Sequence, residues 1–321
     1  MTRRRAIAAA ACAYWPLTAR GQAGFDPTGV ARVFADLARR EYHDPERAER
    51  LAARIETKAL EGLYAAATAA RELAAALMRD AVETTQDRHF YVLAGAHHGA
   101  AGSIRPGRRA ARPTAGALQS MRADAFGVGR VEMQGDVGVV AIRRFYSPFA
   151  EVRAAIGAAM AKVEGARALA FDLTANLGGD PAAVAYVASY LFARPPFVIN
   201  RFVWRTSGVE EFRTTAELDG PAFPERSPVF VAVSRDTFSA GEEFAYDLKA
   251  LGRAVIVGER TGGGANHAEM FPLGPDLVAF IPCARAENPV TGGNWEGTGV
   301  DPDLAASKAD ALSAAIAQAA R

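Results

Sequence analysis

Ser239 stands where a hydroxyl could do chemistry in this 321-residue chain. The apolar run Val229 to Val233 predicts a strand, Ser234 to Phe238 a polar turn, and a helix follows from about Ala240 to Leu251. A side chain at that junction lies at a helix N-terminus, where backbone N–H groups lack partners and the helix dipole favours negative charge. Acyl-transfer enzymes need such donors, aimed at the oxyanion of the transition state. Ser239 and Glu242 also have the spacing of a capping box, so a purely structural cap fits the same residues.

A serine nucleophile needs a base, and the five histidines are His43, His89, His97, His98 and His267. His43 falls in a helical pattern, and His97 and His98 fall in a Gly/Ala/Arg-rich loop from Gly95 to about Gly116, expected to be exposed and mobile. His89 follows Asp87 at the head of a short β run, and His267 follows Gly262-Gly263-Gly264. Either can serve on spacing, because triads recur in different chain orders. Gly178 and Gly179 end the apolar strand Ala168 to Leu173, the place where α/β sheets bind ligands, and glycines let backbone N–H groups come close. Glu296, beside Trp295 in a glycine-flanked loop, could orient an imidazole or belong to a surface turn closed by Asp301-Pro302. No Gly-Lys-Ser/Thr follows the glycines, and no His-Glu-x-x-His or paired-cysteine spacing appears, so neither a phosphate loop, a metal site nor a cofactor is indicated.

These residues need elements to hold them. Apolar positions at three- and four-residue spacing from Val30 to about Val82 predict three short antiparallel helices, with Asp44-Pro45 opening the second. Strands at 137–142, 168–173, 229–233 and 255–257 alternate with helices at 149–163, 181–193 and 240–251, which predicts a largely parallel sheet in an α/β core. With 50% hydrophobic residues and a formal charge of +1, the chain can bury a core and carries no field for nucleic acid or an anionic membrane. Arg3-Arg4-Arg5, an apolar run to Leu17 and Gly21-Gln22-Ala23 suggest an export signal over residues 1–23 that resembles the twin-arginine type, and a periplasmic or secreted protein. Later stretches are too short for a membrane span. Cys12 lies in that segment, and Cys283 reads as a small buried hydrophobe.

Five stretches occur in a telling order: Asp87-Arg88-His89, Asp172 to Gly179, Thr237 to Ala245, Gly258 to Ala265 and Trp295 to Asp303. Together they resemble the tail-specific (C-terminal-processing) serine peptidases, on the branch of interphotoreceptor retinoid-binding protein and the tricorn core. The resemblance covers about residues 28 to 303. It implies a ClpP/crotonase-like α/β core over 87–321, with the mobile loop within 87–128, behind a helical bundle at 24–86. The 93–137 span is too short for a PDZ domain. It also implies Ser239 as nucleophile, His89 as general base, Glu296 as orienting carboxylate, and an oxyanion hole from the N–H of Ala240 with Gly178 or Gly179. His267 is the reserve base, one place off the family's His-Pro, and Thr174 replaces the usual arginine. The substrate implied is a peptide or unfolded protein tail; the alternative is a non-catalytic carrier of apolar ligands, and a third possibility is a scaffold whose Ser239 is shielded.

Lysine decides between two ways of activating the serine. The processing branch uses a neutral lysine from the segment where this chain has Gly264 or its neighbours. Only Lys58, Lys162, Lys249 and Lys308 exist, the other 33 basic residues being arginine. Lys249 lies about 15 Å along the helix from Ser239, too far for direct proton transfer. A histidine base is therefore required.

Overall fold

A computed structural model describes residues 25–95, 112–194, 196–274 and 276–321. The expected export signal and most of the expected mobile loop, with His97 and His98, lie outside the described residues. Three helices open the chain: α1 (Pro27–Glu41), α2 (Pro45–Leu60) and α3 (Ala70–Thr85). Asp26 and Asp44 cap the first two, Asp44 Oδ1 accepting from the N–H groups of Glu46 and Arg47 at 3.0 Å each. Gln86, at φ 58°, ends the third in a left-handed cap. Each helix turns one apolar stripe inward, Phe34 and Ala38 on α1, Leu51 and Ile55 on α2, Leu73 and Leu77 on α3. The edge of Phe34 meets Phe90 at 6.3 Å and Tyr42 meets Phe90 at 4.9 Å, so the bundle shares its core with the rest of the molecule.

Beyond the bundle come β1 (Tyr91–Ala94), α4 (Ala115–Ala123), β2 (Val128–Gln134), β3 (Val137–Ile142), α5 (Ala150–Lys162), β4 (Ala168–Asp172) and α6 (Pro181–Ser189). Then follow β5 (Val198–Trp204), β6 (Gly208–Arg213), β7 (Val229–Val233), α7 (Ala240–Ala250), β8 (Val255–Gly258), β9 (His267–Gly274), β10 (Leu277–Glu287), β11 (Leu304–Ala305) and α8 (Ala311–Ala319). One sheet runs β11-β8-β7-β4-β3-β2, parallel except where β2 pairs antiparallel with β3. Its two faces differ in side-chain size. Ala168, Ala170 and Ala232 pack against the alanines of α8, whereas Leu169, Phe171, Val231 and Ile256 face the main core with Phe244 and Leu248 of α7.

The second sheet is antiparallel, ordered β1-β10-β5-β6 with β9 also on β10. Its longer strands escape a search for unbroken apolar runs: β5 interleaves Asn200 and Arg201 with Ile199 and Phe202, and β10 is broken by Pro282 at a register shift. The expectation of a largely parallel sheet therefore describes one of two sheets. The site lies where they meet.

Candidate active site

The turn after β7 is tied to the end of β4 before it reaches Ser239. Ser234 Oγ donates to the Thr174 carbonyl at 2.7 Å, Thr237 Oγ1 to the Leu173 carbonyl at 2.8 Å, and Phe238 N–H to the Asn176 carbonyl at 3.0 Å. Ser239 then adopts φ 54° and ψ −123°, a left-handed conformation that costs an L-residue roughly 1–3 kcal/mol and needs support from its surroundings. Glu242 supplies that support. Glu242 Oε2 accepts the Ser239 N–H at 3.0 Å, the glutamate half of the capping box that their spacing suggests, and the Glu242 N–H donates to the Ser239 carbonyl at 2.8 Å. The same buried carboxylate accepts the N–H groups of Gly263 at 2.7 Å and Gly264 at 2.8 Å, and the Thr261 hydroxyl at 2.5 Å. Glu242 thus ties the serine turn to the glycine run, a role that its capping-box spacing alone does not reveal.

The paired glycines lie against the serine. A Cβ on Gly178 would come 2.7 Å from Ser239 Cβ and 3.1 Å from Ala240 N, and a Cβ on Gly179 would collide with the Phe145 carbonyl. Their positive φ values, 104° and 148°, suit glycine alone. Asn176 shapes this loop where the family's arginine is missing: its Nδ2 donates to the Ile142 carbonyl at 2.9 Å, and its Oδ1 accepts the Gly178 N–H at 2.7 Å. The Gly178 N–H is thereby committed to Asn176, which leaves Gly179 as the open donor of the two candidate glycines. The N–H groups of Gly179 and of Ala240, the first residue of α7, make no internal hydrogen bond among the described residues.

His89 sits over the far side of this turn. Its ring stacks on Phe238 at 4.8 Å and 32°, and a Cβ on Gly264 would meet His89 Cε1 at 2.6 Å as well as the Phe238 ring. Both ring nitrogens are buried without a hydrogen-bond partner, and Nδ1 faces Glu296 Oε2 at 3.9 Å. Three backbone N–H groups fix that carboxylate: Ala265 at 2.6 Å and Asn266 at 3.1 Å to Oε2, Arg88 at 3.3 Å to Oε1. Burial pushes the imidazole down to about 4 against the pull of Asp87, so it is neutral at physiological pH. Burial, reinforced by the charge of Asp87, pushes Glu296 up to about 7 against its N–H donors.

Asp87 completes the cluster. Its Oδ1 accepts the His89 N–H at 2.9 Å, an Asx turn for which the Asp-x-His spacing is the sequence signal. Among the described residues, Asp87, His89 and Glu296 are the one group whose donor atoms lie close enough to hold a metal ion, all within 4.8 Å. Their carboxylate oxygens already accept five N–H donors between them, from His89, Asn266 Nδ2, Ala265 N, Asn266 N and Arg88 N, which suits proton handling better than ligation.

His267 is placed differently. Its ring packs 5.5 Å from Phe202 and 5.5 Å from Trp204 on the antiparallel sheet. Lys249 pairs with Asp303 at 2.8 Å, Lys58 with Asp80 and Lys308 with Asp236 at 2.5 Å each. An open groove of about 550 Å³ passes the site, lined by Tyr91, Ala175, Leu177 and Phe238 with Arg235, Asp236 and Lys308. Leu177, 64% exposed, and Phe238 adjoin Gly178 and Ser239 in the chain, so the groove opens at the serine turn.

Residues 136–306 match the model of Peptidase family S41. The chain belongs to that family. It is 30% identical over 141 residues to the chloroplastic C-terminal processing peptidase of Tetradesmus obliquus, an alignment covering 44% of this chain and 29% of that protein. The chain thus matches less than a third of that relative's length. Among solved structures it is similar to a candidate peptidase from Parabacteroides merdae, with a TM-score of 0.61 and 16% identity over 93% of this chain and 98% of the other. It is also similar to the photosystem II D1 C-terminal processing protease, with a TM-score of 0.55 and 16% identity over 88% and 94%. At these identities the structures show a shared α/β fold. The family match contains Ser239 and Glu296, while His89 lies outside it and joins the S41 site through the contacts described above.

Proposed function

We propose that this S41 protein is a serine peptidase that cleaves peptides or unfolded protein tails with Ser239, His89 and Glu296. The observation that carries the reading is a serine in a positive-φ turn at a helix N-terminus, with the unpaired N–H of Ala240 next in the chain and its neighbour Phe238 stacked on a buried neutral imidazole backed by a carboxylate. In the reaction His89 takes the Ser239 proton as Oγ attacks the scissile carbonyl, and Glu296 stabilises the imidazolium from the Nδ1 side. The N–H groups of Ala240 and Gly179 receive the oxyanion. Collapse of the tetrahedral intermediate transfers the proton to the leaving amine, and water then repeats the sequence on the acyl-enzyme. The groove beside Ser239 is open and carries charged groups on its wall, which fits an extended peptide better than an enclosed apolar ligand. Export of the chain by its arginine-led N-terminus belongs to the same proposal and is tested by whether that segment carries a reporter out of the cytoplasm.

A fluorophosphonate probe tests the peptidase. It should label the folded chain at Ser239, and Ser239→Ala should abolish labelling. His89→Ala should slow it about 10²- to 10⁴-fold, with His267→Ala far milder. A folded wild type that stays unlabelled overturns the proposal, and a larger loss from His267→Ala reassigns the base.

A further inference from the structure

We propose that Asp87 is a positioning residue that holds a fixed negative charge behind His89 and Glu296 and ties both to the helical bundle. The inference rests on the Ser/His/Glu reading and extends it to a residue outside the triad. Asp87 is 1% exposed and reaches both partners by separate routes. Oδ1 accepts the backbone N–H of His89 at 2.9 Å. Oδ2 accepts Asn266 Nδ2 at 2.9 Å, and the N–H of that same Asn266 donates to Glu296 Oε2 at 3.1 Å. From the bundle, Tyr42 OH donates to Oδ2 at 3.3 Å and His43 Nε2 stands 3.6 Å away. A shift of α1 against the sheets would therefore move the anion that both catalytic groups face.

The charged and titratable groups around Asp87 can be named by element. Tyr42, His43, Asp44 and Arg47 approach from the bundle, Arg88, His89 and Tyr91 from the start of β1, and Glu296 from the loop before β11. Burial opposes ionisation of Asp87, yet His43, His89 and Asn266 outweigh it and hold the carboxyl below its ordinary range. It stays anionic while the catalytic pair titrates. A fixed anion raises the proton affinity of the pair as a whole, whichever member carries the proton.

The direction of the test follows. Asp87→Asn removes the charge and keeps the shape, so the acid limb of kcat/KM should move to lower pH by about one unit. A role confined to support would lower the rate and leave the limb in place. In a Ser239→Ala background, the His89 ring signals should titrate at lower pH when Asp87→Asn is added, a readout independent of turnover. Asn266→Ala serves if the asparagine variant does not fold: it cuts the Asp87–Glu296 link and should lower kcat about tenfold at unchanged KM. A folded Asp87→Asn protein whose limb and His89 titration stay put, or move to higher pH, overturns the inference, as does an Asn266→Ala variant with wild-type kcat. Loss of fluorophosphonate labelling in the wild type would instead overturn the underlying reading, and the His89 titration would still report on Asp87.

Discussion

In the proposed mechanism, the charge of Glu296 sets the pH at which the site can work. The imidazole is neutral down to about 4, so His89 is ready as a base across the physiological range. Glu296, raised to about 7 by burial and by Asp87, is ionised only above that value, and only then can it stabilise an imidazolium. Hydrolysis should therefore decline as pH falls through about 7. Glu296→Gln should erase that limb and lower kcat by on the order of 10²- to 10⁴-fold, read from pH–rate profiles of both proteins. An acid limb unchanged in Glu296→Gln would assign it elsewhere. The candidates Ser239, His89 and Glu296 could be picked out from five motifs in order, because each motif packs its candidate residue into a short stretch of chain. Asn266 and Glu242 could not, since their importance lies in hydrogen bonds across 21 to 179 residues of chain, made only once the two sheets meet.

Besides Glu242, helix α7 carries two buried acids that form no ion pair among the described residues. Glu243 and Asp247 lie one turn apart, both about 1% exposed, and Glu243 Oε1 and Asp247 Oδ2 lack hydrogen-bond partners. Burial drives Glu243 up to about 8 and raises Asp247 well above its ordinary range. The folded chain keeps the Glu243 proton after the unfolded chain has lost it. Its contribution to stability is thus complete below about 4.5 and is lost as pH rises to about 8. Glu243→Gln should leave the melting temperature near wild type at pH 4 and raise it progressively above that, by several degrees at pH 9; equal effects at both pH values would refute the buried-acid account. The parallel strands and the helices of the bundle were legible because their apolar patterns are unbroken. In contrast, β5 and β6 interleave polar with apolar residues and β10 is interrupted by Pro282, while β10 joins β1 and β5 only across long stretches of chain, so local pattern gives little sign of the second sheet.

At the scale of the molecule, the bundle is continuous with the α/β core. Phe34, Tyr42, Phe90 and Leu77 belong to the same cluster as Phe171 and Phe244, and Arg205 donates to the Arg39 carbonyl at 2.7 Å. Such packing predicts one cooperative unfolding transition. Phe34→Ala should destabilise it by about 3–5 kcal/mol and shift far-ultraviolet circular dichroism and the fluorescence of buried Trp295 together. Separate midpoints would mean that the bundle melts alone. The contact between Gly264 and His89 has a different consequence, for how such enzymes can change. A side chain at position 264 would enter the space that the imidazole and Phe238 fill. In the processing peptidases that this chain resembles, the activating lysine comes from this stretch. The two bases therefore compete for one volume, and a lysine at 264 would have to push aside the rings of Phe238 and His89. A lysine gained at 264 would thus unseat the imidazole in the same step, so the two bases replace one another rather than accumulate.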